Sequence, residues 1–328
     1  MLNQRSMPNK TITKFSVFVI FAVVALMSTA ACHTGVVGRG EPPSFDRSTS
    51  RYNEPQVVGK LQSDEITESS GIVASRCQPN ILWTHNDSGD GPFIFAISLT
   101  GKPLGTWQVP GAKNVDWEDI AGFKDATGKC FLYIGELGNT NNNERAEHKI
   151  YRISEPTVQE SDSGSTRKNA IQTEPAELLT FSYPDTRQDA ETLMVHPVSG
   201  DIYVVTKHRT TAAGVYKLKP VFDPSVVVKA EKITEFTVPA IPNGFLTGGD
   251  MAPDGKHMII CDYFAGYEYT LPEGSANFDE IWKQKPTVVE LGKRDQGEAI
   301  AYSADGLSLW ATSEGKSSPL IQIKRRTQ

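Results

Sequence analysis

A pattern of about 50 residues recurs five times along the chain, and this restricts the fold more than any other feature. Each copy opens with a short polar segment that ends on an apolar anchor: Glu68–Ile72, Asp116–Ile120, Asp189–Leu193, Thr247–Met251 and Gln296–Ile300. A β-branched or aromatic run follows each: Ile81–Thr84, Leu132–Gly135, Tyr203–Thr206, Met258–Cys261 and Leu309–Thr312. Third runs are Phe93–Ile97, Lys149–Ile153, Gly214–Leu218, Tyr267–Leu271 and Pro319–Ile323. Fourth runs are Leu104–Val109, Leu178–Ser182, Ile233–Val238 and Thr287–Leu291. Gly, Pro, Asn and Asp separate these runs, and helical periodicity is almost absent, so the pattern predicts an all-β fold. The fifth copy lacks a fourth run, whereas Gln56–Leu61 stands alone before the first. A ring of blades closes in this way, with an N-terminal strand completing the last sheet and removing the open edge. The expected architecture is therefore a five-bladed β-propeller over 54–326. The interval from Ile120 to Leu193 is long and contains the polar stretch Val158–Arg167; it reads as a loop insertion, the alternative being a six-bladed ring.

The N-terminus carries Arg5, Lys10 and Lys14 with no acid, then the apolar run Phe15–Met27 and small residues up to Cys32. This is the layout of an export signal over 1–31. Its end, Thr29-Ala30-Ala31-Cys32, resembles a bacterial lipobox with Thr29 in the usual place of Leu, which implies lipidation of Cys32 and membrane anchoring in the cell envelope. The alternative is plain secretion with cleavage near Ala31. Residues 32–53 read as a flexible tether. Cys77, Cys130 and Cys261 remain; export permits a bridge between Cys77 and Cys130, which fall in equivalent turns, and an odd count leaves one thiol.

Formal net charge is −6, and beyond the signal 30 basic residues face 39 acidic ones. Such a body argues against nucleic-acid binding, which needs a basic face. The acids are concentrated where the propeller geometry brings loops together. Loops before each first strand and after each second strand open on one face around the central channel. Glu118, Glu191 and Glu298 stand two before their anchors, and Glu68, Asp116 and Asp189 stand four before. His85, Glu136, Lys207 and Asp262 follow second strands, then His208, Tyr263 and Glu314.

Two like charges ~8 Å apart repel by ~2 kcal/mol at an effective dielectric near 20, so this ring needs compensation. A divalent cation such as Ca²⁺ would supply it, with Glu118, Glu136, Glu191, Asp262 and Glu298 as ligands. Lys207 and Arg209 would supply it by ion pairing. Retained protons would do so as well, and a protonated acid is a general acid. Solvated acids that tolerate one another are the plain alternative. His85 and Glu118 are the candidate catalytic bases. Asp87, Asp116, Arg145, Lys207, His208 and Glu314 are candidate contacts for a small-molecule or polysaccharide ligand. Asn86–Gly91 lacks EF-hand spacing and reads as a turn. No P-loop, nucleophile elbow, dinucleotide fingerprint or HExxH occurs.

The segments Ser70-Gly-Ile-Val73, Leu82-Trp-Thr-His-Asn-Asp-Ser-Gly89, Asn114–Ala121 and Tyr133–Asn139 resemble a family of exported bacterial β-propeller lipoproteins of mostly unknown function. More distantly, Gly297–Ala301 and Trp310–Glu314 are similar to strand starts in calcium-dependent lactonase and esterase-like-phytase propellers. That likeness implies a metal in the channel and hydrolysis of an ester, lactone or phosphoester, although those lactonases have six blades and Asn among their ligands. Three functions follow as expectations: a ligand-binding propeller, a metal-dependent hydrolase, or a carboxylate-pair glycoside hydrolase.

Overall fold

The computed structural model describes residues 50–139, 145–239 and 245–326. The signal 1–31, Cys32 and the tether up to residue 49 lie outside them. Five antiparallel sheets of the expected strands form a five-bladed β-propeller, with short 3-10 segments as its only helix among the described residues. From the axis outward, blade 1 is Ser69–Ala74, Ile81–Asn86, Phe93–Ser98 and Pro103–Gln108. Blade 2 is Trp117–Lys124, Cys130–Glu136, His148–Ser154 and Glu177–Ser182. Blade 3 is Ala190–Val195, Ile202–Thr206, Ala213–Leu218 and Glu231–Phe236. Blade 4 is Gly248–Met251, His257–Cys261, Ala265–Thr270 and Thr287–Glu290. Blade 5 is Ile300–Tyr302, Ser308–Ala311, Pro319–Lys324 and the N-terminal Gln56–Lys60.

The ring closes as the unpaired N-terminal run required. Gln56 faces Gln322 and Lys60 faces Pro319 in an antiparallel ladder. Closure begins earlier than expected, because Tyr52, counted in the tether, is a wheel residue. It bridges to Arg325, is 2% exposed, and donates its hydroxyl to Glu268 of blade 4 at 2.5 Å. Arg325 and Tyr302 also bond that carboxylate oxygen, at 2.8 and 3.0 Å, so the first and last strands of the propeller are tied to one buried acid.

The long interval in blade 2 is an insertion rather than a sixth blade. It makes two 3-10 turns, Glu160–Gly164 and Arg167–Asn169, then Ile171–Gln172, which pairs in parallel with the outer strand of blade 1. Val227–Lys229 of blade 3 does the same for blade 2. Apolar side chains from facing sheets fill each interblade space; Trp83 and Trp117 are fully buried between blades 1 and 2, and Trp310 lies between blades 5 and 1. A disulfide between Cys77 and Cys130 ties the equivalent turns of blades 1 and 2, and Cys261 is a free thiol whose burial pushes it up to about 11. No helix among the described residues is long and apolar enough to cross a membrane.

Candidate functional site: an acidic funnel on the propeller axis

The inner strands present their acids through β-bulges. In blade 2 Trp117 pairs with Glu136 and Asp119 with the adjacent Gly135, so Glu118 is an extra residue in the ladder. In blade 3 Ala190 pairs with Thr206 and Thr192 with Val205, leaving Glu191 in the same state. A bulge breaks the alternation of a strand and re-aims the side chain it carries. Trp117 can therefore pack into the blade interface while its neighbours Glu118 and Asp119 both serve the channel side.

The register of the inner strands corrects the sequence alignment of the rim. Ile72, Leu193 and Ile300 pair with Thr84, Val204 and Ala311. The residues three beyond those partners are Asp87, Lys207 and Glu314. The backbone confirms their equivalence: their N–H groups donate to Glu68, Asp189 and Gln296 carbonyls at 2.9, 2.9 and 3.0 Å. Asp87, not His85, is thus the blade 1 counterpart of Lys207. His85 lies two residues earlier inside the strand, completely buried, with Nδ1 donating to the Asn86 carbonyl at 2.9 Å and Nε2 packed against Gly71. Burial pushes it down to about 4, so it is a neutral wall residue between blades rather than a base at the rim.

Asp87, Asp116 and Glu118 converge, with one carboxylate oxygen from each lying within 4.8 Å of the others. Supporting groups fix this cluster. Asn114 donates to the Asn86 and Asp87 carbonyls at 3.1 and 2.8 Å, docking the Asp87 loop on blade 2. Gly138 lies flat against the acids, since a Cβ there would stand 1.8 Å from Glu118 Oε1 and 2.5 Å from Asp116 Oδ2. Burial is the main cause that raises Asp87 to about 8, followed by repulsion from Glu191, Glu298 and Asp116. Burial raises Glu118 well above the usual carboxylate range, with Glu191 and Asp87 adding to it. One Asp87 oxygen, Oδ1, is buried with no hydrogen-bond partner.

Lys207 is the cation that pairs with the ring. Its ammonium lies 2.7 Å from Glu191 and 3.7 Å from Glu298, and over the rings of Phe245 and Tyr263 at 4.8 and 5.7 Å. Burial would lower it, but Glu191 and Glu298 outweigh that and raise it well above the normal lysine range. Burial still wins over Lys207 at the acids: Glu191 and Glu298 are each raised to about 8. Glu298 also bonds Glu314, whose outer oxygen accepts from Gln296 at 2.7 Å, so these two acids form a carboxyl–carboxylate pair. Asp189 accepts from the Asn139 N–H at 3.0 Å, and His208 stands close enough to act on its charge.

Other residues expected in the funnel are engaged elsewhere. Glu136 accepts from the Val115 and Asp116 N–H groups, each at 3.0 Å, and pairs with Arg145, which also bonds the Gly138 carbonyl. Both thus hold the loop that carries Asp116, which leaves neither the metal-ligand role expected of Glu136 nor the ligand-gripping role expected of Arg145. Asp262 accepts from Phe264 and Ala265 N–H and from the Tyr267 hydroxyl, all at 2.7 Å, and so closes its own hairpin rather than pointing at an ion.

A deeper layer escaped sequence reasoning. Asp119 accepts from the Leu193 and Gly249 N–H groups of blades 3 and 4 at 3.0 and 3.4 Å. Asp250 accepts from Tyr302 N–H at 2.9 Å, and Arg76 reaches it from blade 1 at 3.1 Å. These bonds staple the inner strands beneath the funnel. The acidic residues were visible, but only the cross-blade register shows that they bond backbone groups. No protein-family model and no curated protein matches this sequence.

Proposed function

We propose that the protein is a ligand-binding propeller that takes a divalent cation in its funnel, on Asp87, Asp116 and Glu118, with Glu191 next to them. The observation that carries this is the spacing of the three carboxylates. Ca²⁺ holds oxygens at about 2.3–2.6 Å, so oxygens within 4.8 Å of one another can share one ion. Lys207 compensates the blade 3 to blade 5 side of the ring but forms no ion pair with Asp87 or Asp116 among the described residues. Ca²⁺ prefers six to eight oxygens, so three carboxylates leave positions for hydroxyl, carboxylate or phosphate oxygens of a ligand. Export and anchoring through Cys32 belong to the same proposal, and the Cys77–Cys130 disulfide suits an oxidising compartment.

Titration of the protein with Ca²⁺, followed by thermal shift, tests the reading. A saturable rise in Tm that Glu118→Gln and Asp87→Asn each remove supports it; no response up to millimolar Ca²⁺ refutes it. A hydrolase reading gains from one observation, Glu298 held protonated beside Glu314, the state of a general acid at neutral pH. Lactone, phosphoester and arabinan substrates, each tried with and without chelator, separate binding alone from hydrolysis.

A further inference from the structure

Two sulfurs and a carboxylate meet on the face opposite the funnel. Cys77 lies in the turn between the first two strands of blade 1, and Cys130 opens the second strand of blade 2. Glu155 follows the third strand of blade 2, and its N–H donates to the Cys130 carbonyl at 2.9 Å. One ligand atom from each of Cys77, Cys130 and Glu155 lies within 4.8 Å of the others. The funnel cluster is the only other such group among the described residues.

Bonds other than the disulfide hold all three in place. The Ser75 hydroxyl accepts from the Cys77 and Gln78 N–H groups at 3.2 and 2.8 Å and so shapes the blade 1 turn. Gln78 crosses to blade 2, donating to Glu155 Oε1 at 3.2 Å and to the Pro156 carbonyl at 2.8 Å, and accepting from Val158 N–H at 2.8 Å. Trp83, fully buried, donates its indole N–H to the same Oε1 at 2.9 Å. Cys130 is fixed by its ladder with Lys124. Both side-chain bonds to Glu155 end on Oε1, which leaves Oε2 to act as a ligand. A carboxylate gripped through one oxygen by outer groups is how metal sites orient such a ligand.

We propose that the disulfide masks a site for Zn²⁺, which the chain takes up on reduction through Cys77 Sγ, Cys130 Sγ and Glu155 Oε2. Thiolate sulfur selects zinc over the hard cations that suit the funnel. Zn–S bonds of about 2.3 Å in a tetrahedron set two sulfurs about 3.8 Å apart, a spacing within reach of Cα atoms 6.1 Å apart. Three protein ligands leave a fourth position, which opens to water because Cys77 is exposed. Cys77 is also the sulfur a reductant can reach, since Cys130 is 6% exposed. A thiolate of a dithiol donor attacks Cys77 Sγ, and the S–S bond breaks with its electron pair leaving on Cys130. The donor's second thiolate then attacks the mixed disulfide. The donor ends as a disulfide, and its two electrons and, through solvent, two protons end on Cys77 and Cys130. Zn²⁺ displaces both thiol protons to solvent.

The test uses the full chain, reduced with a phosphine, freed of it without oxygen, and titrated with Co²⁺ as the spectroscopic stand-in for Zn²⁺. Sulfur-to-cobalt charge-transfer bands should appear with the visible bands of a tetrahedral ion, saturate at one Co²⁺ per chain and bleach on adding Zn²⁺. The unreduced chain should show none of them. Cys77→Ser should abolish the charge-transfer bands. Glu155→Gln should keep the circular dichroism and weaken Zn²⁺ by about tenfold or more, since outer groups alone are worth about 10–100-fold. Four results overturn the proposal: no bands up to millimolar Co²⁺; bands that survive Cys77→Ser, which would assign the metal to Cys32 or Cys261; an affinity that Glu155→Gln leaves unchanged; or a reduced, metal-loaded chain without the β-sheet circular dichroism of the oxidised one.

Discussion

Replacing Lys207 by methionine should make the fold unstable at alkaline pH and nearly spare it at acid pH. Glu191 and Glu298 are each raised from 4.5 to about 8 in the folded protein. The folded state therefore binds more protons than the unfolded chain between these values, so stability is fully present below about pH 4.5 and is lost as pH rises through 8. Each such proton contributes about 1.4 kcal/mol per pH unit. One acid alone removes about 3 kcal/mol between pH 5 and 7.5. Lys207, at 2.7 and 3.7 Å, limits that loss by pairing with whichever acid ionises. At pH 5 the variant loses only packing and cation–aromatic contact, about 1 kcal/mol. At pH 8.5 it leaves buried carboxylates without a partner, at a cost of about 3–5 kcal/mol. Urea denaturation at the two pH values with chelator present measures the difference. An equal loss at both would show that Lys207 is a packing residue and that the acids are not held protonated.

The double variant Cys77→Ser, Cys130→Ser releases a loop of 53 residues, and the loop-entropy relation gives about 4 kcal/mol of lost stability, measurable by calorimetry. Tyr52→Phe removes a buried hydrogen bond to the Glu268 carboxylate at 2.5 Å and should cost about 1.5–3 kcal/mol in denaturant titration. Gly138→Ala drives a methyl into Glu118 and Asp116. Calorimetry should show Ca²⁺ affinity falling by about 10–100-fold, as for displaced supporting groups at other metal sites.

The strands were legible because turn residues punctuate every one of them, and ring closure was legible because Gln56–Leu61 had no partner in its own repeat. Tyr52 was missed because it sits in a polar segment with no alternation; only the Glu268 bonds make it structural. The insertion gave no sign that Ile171–Gln172 would join blade 1, since two residues carry no period. At the site, the position of Glu118 followed from repeat alignment, but His85 was aligned with Lys207 where the register puts Asp87. His85 and Asn86 continue the second strand of blade 1 beyond its apolar run, so an alignment that ends the strand at Thr84 places the rim two residues early. Glu136 and Asp262 have the residue type of a metal ligand, and what assigns them elsewhere is the backbone N–H groups they accept, which depend on loop conformation.

The most direct measurement is calorimetric titration with Ca²⁺ at pH 7 in two buffers of different ionisation enthalpy. Asp87, raised to about 8, is about nine-tenths protonated at pH 7, and Glu118 is raised as well. Binding one cation there should release the Asp87 proton and add the share that Glu118 holds, and the Asp87 share should fall toward zero by about pH 9.5. Heat that is identical in both buffers, or absent up to millimolar Ca²⁺, would contradict the account.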